Sequence, residues 1–211
     1  MRVFIKKKRI LIWLPIVMAA IFLPLFILYQ KGYFLPVWAV FKEKEAVYDI
    51  GGESYRIILK NKGLTVIKNG REGGDSEEEY LFDKDLKIED YLVGDIDHDL
   101  KDELILLFFR RSSYGPYKPF WVKEDENVYS QHIGIYEFGF DNDKRINERY
   151  LAEHTGNKDG KRVISQKWVS SGIGAKIVSI ELNKDNELVI REKNGKESCW
   201  YYSCFGLMLK E

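Results

Sequence analysis

The stretch Tyr91–Phe109 reads YLVGDIDHDLKDELILLFF. Two apolar runs, Tyr91–Val93 and Leu104–Phe109, flank a polar segment in which Asp95, Asp97 and Asp99 fall at alternate positions and Glu103 follows. The run Leu104–Phe109 has no polar face, which predicts a buried strand rather than an amphipathic helix. Three short carboxylates at positions 1, 3 and 5 of a tight loop can converge on one point. Oxygen ligands at that spacing suit Ca²⁺, a hard cation that accepts six to eight of them. An EF-hand needs Gly at the sixth position and Glu at the twelfth. Leu100 and Leu106 stand there instead, so an EF-hand is not expected. The competing reading is an Asp-rich turn whose side chains bond nearby backbone N–H groups.

The pattern D-x-D-x-D-x-x-D-E-L-I between two strands resembles the FG-GAP/VCBS repeat, the cation loop of integrin-type β-propeller blades. That resemblance implies a Ca²⁺ ligand set of Asp95, Asp97, Asp99, the backbone carbonyl of Lys101, and Glu103. It also implies a blade-type β fold. His98 and Leu100 depart from the pattern, because the family usually has small residues there, often Gly. A turn that needs positive φ at Leu100 would penalise its bulky side chain.

Outward from this stretch, charge divides the chain. Residues 1–31 hold Arg2, Lys6, Lys7, Lys8, Arg9 and Lys31 and no acid. Removing those six from the 33 basic residues leaves 27 against 33 acidic ones, a net of −6 over residues 32–211. Phosphate binding requires a basic footprint, so nucleic acid is not the expected partner. Ile10–Tyr29 is a run of twenty uncharged residues, enough to cross a bilayer at helical rise. The positive cluster Lys6–Arg9 before it predicts a cytoplasmic N-terminus and an uncleaved signal-anchor, single-pass in the plasma membrane. A cleaved signal peptide is the alternative. The expected organisation is a basic cytoplasmic segment at 1–9, a transmembrane helix at 10–29, a linker at 30–45 and an extracytoplasmic β-domain at 46–211. In the linker, Tyr33, Phe34, Trp38 and Phe41 could sit at the lipid headgroups, or begin the domain as an irregular strand.

Beyond Ala46 the signals are mostly β. Ser54–Leu59, Leu64–Lys68, Ile133–Phe138 and Ala175–Leu182 read as strands, and Asn69-Gly70 as a hairpin turn. Asp141–Lys144 and Ile146–Leu151 extend Ile133–Phe138 into a second hairpin. A weak repeat is visible: Leu64–Glu72 resembles Leu188–Glu197, and Val93–Ile105 aligns with Ile177–Val189. The second alignment sets Ser179, Glu181 and Asn183 against the three aspartates. Each unit reads as a loop, an inner strand and an outer hairpin. The expected fold is therefore all-β, a partial or irregular propeller-like domain of about three units, with a smaller β-sandwich as the alternative.

Arg110–His132 is long and lacks periodicity, a common place for function. Its Tyr114, Tyr117, Phe120 and Trp121 offer flat faces to a sugar or peptide, and with His132 they form the candidate ligand or partner surface. The alternative is that these aromatics fold back over the core. Cys199 and Cys204 lie five apart, too far to bridge along one extended strand, which points to two buried thiols. His98, His132 and His154 are scattered, and no catalytic constellation stands out. The functional expectation is a membrane-anchored extracytoplasmic module that binds a protein or glycan partner and carries a structural Ca²⁺ loop. The alternatives are a cell-surface enzyme acting on envelope polymers and a structural subunit of a membrane complex.

Overall fold

The structure, a computed structural model, describes residues 17–69, 78–112, 127–139, 164–203 and 205–210. The described chain is mostly β, in three four-stranded antiparallel sheets, none of them closed. Sheet A holds β1 (Lys44–Ile50), β2 (Glu53–Lys60), β3 (Gly63–Lys68) and β4 (Glu78–Leu81). Sheet B holds β5 (Lys87–Gly94), β6 (Glu103–Arg111), β7 (Tyr129–Phe138) and β8 (Ile164–Val169). Sheet C holds β9 (Ile177–Leu182), β10 (Leu188–Glu192), β11 (Glu197–Ser203) and β12 (Gly206–Leu209). Every sheet is an up-and-down meander, with each strand paired to its chain neighbour.

Sheet B lies in the middle because β6 has no polar face to give to solvent. Its side chains alternate across the strand. Leu104, Leu106 and Phe108 enter one core with Ile57, Leu59 and Val66 of sheet A. Ile105 and Leu107 enter a second core with Ile177, Ile180, Leu188 and Ile190 of sheet C. Burying each such side chain stabilises the fold by ~1.5–3 kcal/mol. Gly134 of β7 lies beside Leu106, and a Cβ there would come within 2.8 Å of the Tyr136 ring and 3.1 Å of Phe108. Its lack of a side chain lets those two rings fill the first core.

β5 carries a bulge between Ile88 and Asp90, where one extra residue shifts the register. The shift places both Ile88 and Tyr91 in the first core. It also buries two adjacent acids, Glu89 and Asp90. Asp90 is neutralised by Lys42 and by Lys44, whose Nζ lies 2.6 Å away. Glu89 points to Gln131, whose amide also bridges to the Ile177 backbone: Nε2 donates to its carbonyl and Oε1 accepts from its N–H, both at 2.9 Å. A side chain of β7 thus fastens sheet B to sheet C.

The linker differs from a headgroup belt at two of its four aromatics. Trp38 and Phe41 pack on Phe109 of β6, with ring centroids 5.7 and 6.5 Å apart. The physical reason is apolar surface: the end of β6 leaves Phe109 to be covered. β1 begins at Lys44, within the expected linker. Tyr33 and Phe34 stay exposed.

Before the linker, residues 17–30 form a helix, α1. Val17, Ile21, Phe22, Leu23, Leu25 and Phe26 are all exposed on it. No described helix is long and apolar enough to cross a membrane. Residues 10–16 of the expected span lie outside the described residues, so α1 covers only its second part.

The repeat is realised differently from its ungapped alignments. β5–β6 and β9–β10 are the equivalent first hairpins of sheets B and C. Their closing pairs are Gly94↔Glu103 and Leu182↔Leu188, so the second connection is three residues shorter. Ser179 and Glu181 therefore sit within β9, and it is Asn183 that occupies the place of Asp95. The other alignment is one strand out of step, since Leu64 belongs to the third strand of its sheet and Leu188 to the second. Gly70 and the segment Ile146–Leu151 lie outside the described residues.

Candidate functional site

The β5–β6 connection brings Asp95, Asp97 and Asp99 together, with one oxygen of each lying within 4.8 Å of the others. Local chemistry sets this shape. Asp95 accepts the N–H groups of Asp99 and Leu100 at 3.0 and 3.1 Å. Asp97 accepts that of Asp99 at 3.3 Å, and Asp99 accepts that of Lys101 at 2.9 Å. The turn requires positive φ at His98 and Leu100, 62° and 69°. Leu100 adopts it with its side chain in solvent, 92% exposed, so the bulk meets nothing. The three aspartates are thus placed where they could hold a metal ion, while each also caps the turn.

Glu103 lies apart from that group. It is buried, its Oε2 accepting the Ile96 N–H at 3.1 Å and its Oε1 the Lys167 ammonium at 2.9 Å. Lys167, on β8, reaches three acids at once: Asp97 at 2.5 Å, Glu103 at 2.9 Å and Glu137 at 3.1 Å. One ammonium cannot neutralise three carboxylates. Burial pushes Glu103 up to about 7 against the pull of Lys167. Burial also opposes the charge on Asp97, yet its bond to Lys167 holds it below the ordinary carboxylate range. Lys167 is desolvated too, but its bonds to Asp97, Glu103 and Glu137 outweigh this and keep it charged. Around neutral pH Glu103, the most buried acid of the cluster, is therefore the one that exchanges its proton. A second acid, Glu89, is likewise raised to about 7 by burial, against its bonds from Gln131 and the Val40 backbone.

The equivalent connection in sheet C has no aspartate triad. Asn183 Oδ1 accepts the N–H groups of Asp185 and Glu187, both at 2.9 Å, and closes the turn without charge. Lys210, Asn183 and Cys199 bond Glu187 and lower it to about 2. Cys199 is a free thiol and only half-buried, 3.3 Å from Glu187. This differs from the expected pair of buried thiols, because β11 turns Cys199 toward the Asn183 turn. Cys204 lies outside the described residues.

His132 does not belong to a surface: it is fully buried. Its ring stacks on Phe108 at 5.6 Å. Nδ1 lies 2.9 Å from the Ser170 carbonyl, and Nε2 lies 2.9 Å from the Ser112 carbonyl and 2.7 Å from Ser130 Oγ. The imidazole is spent on tying strand ends together. Tyr114, Tyr117, Phe120 and Trp121 lie outside the described residues.

A concave site among the described residues lies elsewhere. A cavity of about 260 Å³ lies between sheets B and C, lined by Ile133, Trp168, Ile177, Ile190, Trp200 and Leu207 among others. Its polar lining is Ser170, Ser198 and Glu192. Sequence reading missed it because its walls come from six strands. The one available signal was a tryptophan in each of two strands, at 168 and 200. Lys167 was missed for a similar reason, since it lies 64 residues from the Glu103 it contacts.

A scan against protein-family models and searches of curated proteins and of solved structures found no match.

The cluster has a pH signature. Glu89 and Glu103 both rise from an ordinary 4.5 to about 7, so between those values the folded chain binds more protons than the unfolded chain. Their stabilising contribution is complete below pH 4.5 and is lost as pH climbs through 7. Lys167→Met should cost about 3–5 kcal/mol in urea unfolding at pH 7, because it strands Asp97, Glu103 and Glu137 without their shared ammonium. The Glu103 carboxyl, followed by carbon-detected NMR, should then titrate above its wild-type midpoint. An unchanged midpoint would mean that Lys167 does not set this proton.

Proposed function

We propose that this chain is a membrane-anchored, outward-facing binding module built as a partial propeller. The observation that carries it is the apolar cavity between sheets B and C, with two indoles in its wall and few polar groups. That composition is typical of ligand sites. The acids with raised pKa, Glu89 and Glu103, do not line this cavity. A catalytic site would be expected to place such groups in its cleft, so binding is favoured over envelope-polymer hydrolysis.

Three further features support the reading. A four-stranded antiparallel meander is the blade unit of propellers. Three stacked units fall short of the usual four to eight, which makes the propeller partial. The aspartate loop sits at the first hairpin of the middle unit, and there Asp95, Asp97 and Asp99 act as a structural Ca²⁺ site that pins β5 to β6. The exposed apolar face of α1 continues the run that starts at Ile10, and together they form the anchor. A partner at the cell surface, protein or glycan, remains the broader expectation.

Two measurements test this reading. Protease added to intact cells should digest the β-domain, and full protection would refute the outward topology. For the loop, Ca²⁺ should raise the melting temperature, by about 2.7 kcal/mol of stability at a hundredfold excess over Kd. Asp99→Asn, which keeps an acceptor for Lys101 but removes a charge, should abolish that rise. If the wild-type melt ignores millimolar Ca²⁺, the loop is a polar turn only.

A further inference from the structure

We infer that the cavity between sheets B and C takes a small organic cation with an apolar body, an alkyl- or arylammonium, whose charge sits at Glu192. This rests on the binding-module reading and names its ligand class.

Size comes first. At about 260 Å³ the cavity falls below the ~300–1,000 Å³ of drug-sized sites, so one ring or a short chain fills it. Its walls are already set. Trp168 lies over Gly206, where a Cβ would come within 2.4 Å of the indole nitrogen and φ is +117°. Trp168 also meets Tyr202 edge-on at 6.4 Å. Trp200 is oriented by its Nε1–H, which donates to Ser198 Oγ at 2.8 Å. Indoles are the strongest side-chain partners for a cation over a ring face.

Charge decides the class. Among the described residues Glu192 is the only ionisable one in the lining, and its side chain is 17% exposed. Its nearest ammonium, Lys196 Nζ, stands 3.9 Å away on a side chain that is 69% exposed. Such a pair contributes little and leaves most of the carboxylate charge unmatched. Asn194 donates to the other oxygen at 3.1 Å. An anion would meet Glu192 with no cation among the described lining residues to offset it. A neutral apolar ligand would strip water from Glu192 and return nothing. A sugar would find one carboxylate and two serine hydroxyls, whose oxygens already accept bonds from Ile133 N–H and Trp200 Nε1–H, too few groups for its many hydroxyls in a mostly apolar wall. An ammonium meets the carboxylate, and its carbon body meets the indoles.

The test uses the full chain in phosphatidylcholine nanodiscs, titrated calorimetrically with phenethylammonium, phenethyl alcohol and phenylacetate. Phenethylammonium should saturate one site and bind about tenfold more tightly than the alcohol, with phenylacetate silent. Glu192→Gln should erase that preference, with the alcohol binding at least as tightly as before. Ala175→Trp, which fills the cavity, should abolish binding of both. Equal affinity for ammonium and alcohol, or a preference that survives Glu192→Gln, overturns the cationic ligand and leaves the cavity as a site. Absence of saturable binding by all three overturns both the ligand class and the cavity's role.

Discussion

The six apolar side chains of β6, from Leu104 to Phe109, belong to no single face. Alternation sends three of them toward sheet A and two toward sheet C, and Phe109 is covered by Trp38 and Phe41. A strand buried on both sides requires a sheet on both sides, and this requirement fixes the order of the three meanders. Removing either outer sheet would expose one row of β6 to water. The cavity exists for the same reason, since it lies where sheets B and C meet around Ile133 and Ile177.

Placing polar groups beside that strand has a cost, and the fold meets it with shared charges. Glu89 and Asp90 are buried by the bulge in β5, and each finds a partner: the Gln131 amide for one, Lys42 and Lys44 for the other. At the far end of the same hairpin, Lys167 gathers Asp97, Glu103 and Glu137. The ammonium takes two of the carboxylates near the aspartate turn, and the turn's remaining acids, Asp95 and Asp99, face backbone N–H groups. Around Glu103, a lysine from β8 supplies the positive charge that the family resemblance assigned to a metal ion.

What could be read from sequence followed from local pattern. The buried character of Leu104–Phe109, the strands around Ser54–Leu59 and Leu64–Lys68, and the convergence of Asp95, Asp97 and Asp99 all depend on near neighbours. What could not be read depends on distant ones. Lys167 and Glu103 meet only because β8 and β6 flank β7. Trp38 and Phe41 look like headgroup aromatics until Phe109 is seen to need cover. His132 reads as a surface residue because nothing in Ser130-Gln-His132 says that carbonyls of Ser112 and Ser170 will surround it. The repeat misled by one strand because Leu64 begins the third strand of its sheet and Leu188 the second of its own, a difference that the similar local sequences do not carry.

If β6 joins both cores, the three sheets open together. Native-state hydrogen exchange on the full chain tests this most directly. The slowest amides should lie in β6 and its partners β5 and β7, and the central strands β2 and β10 should share the same opening free energy and denaturant dependence. A sheet C that exchanges through a separate opening, at much lower free energy while β6 stays protected, would contradict the account.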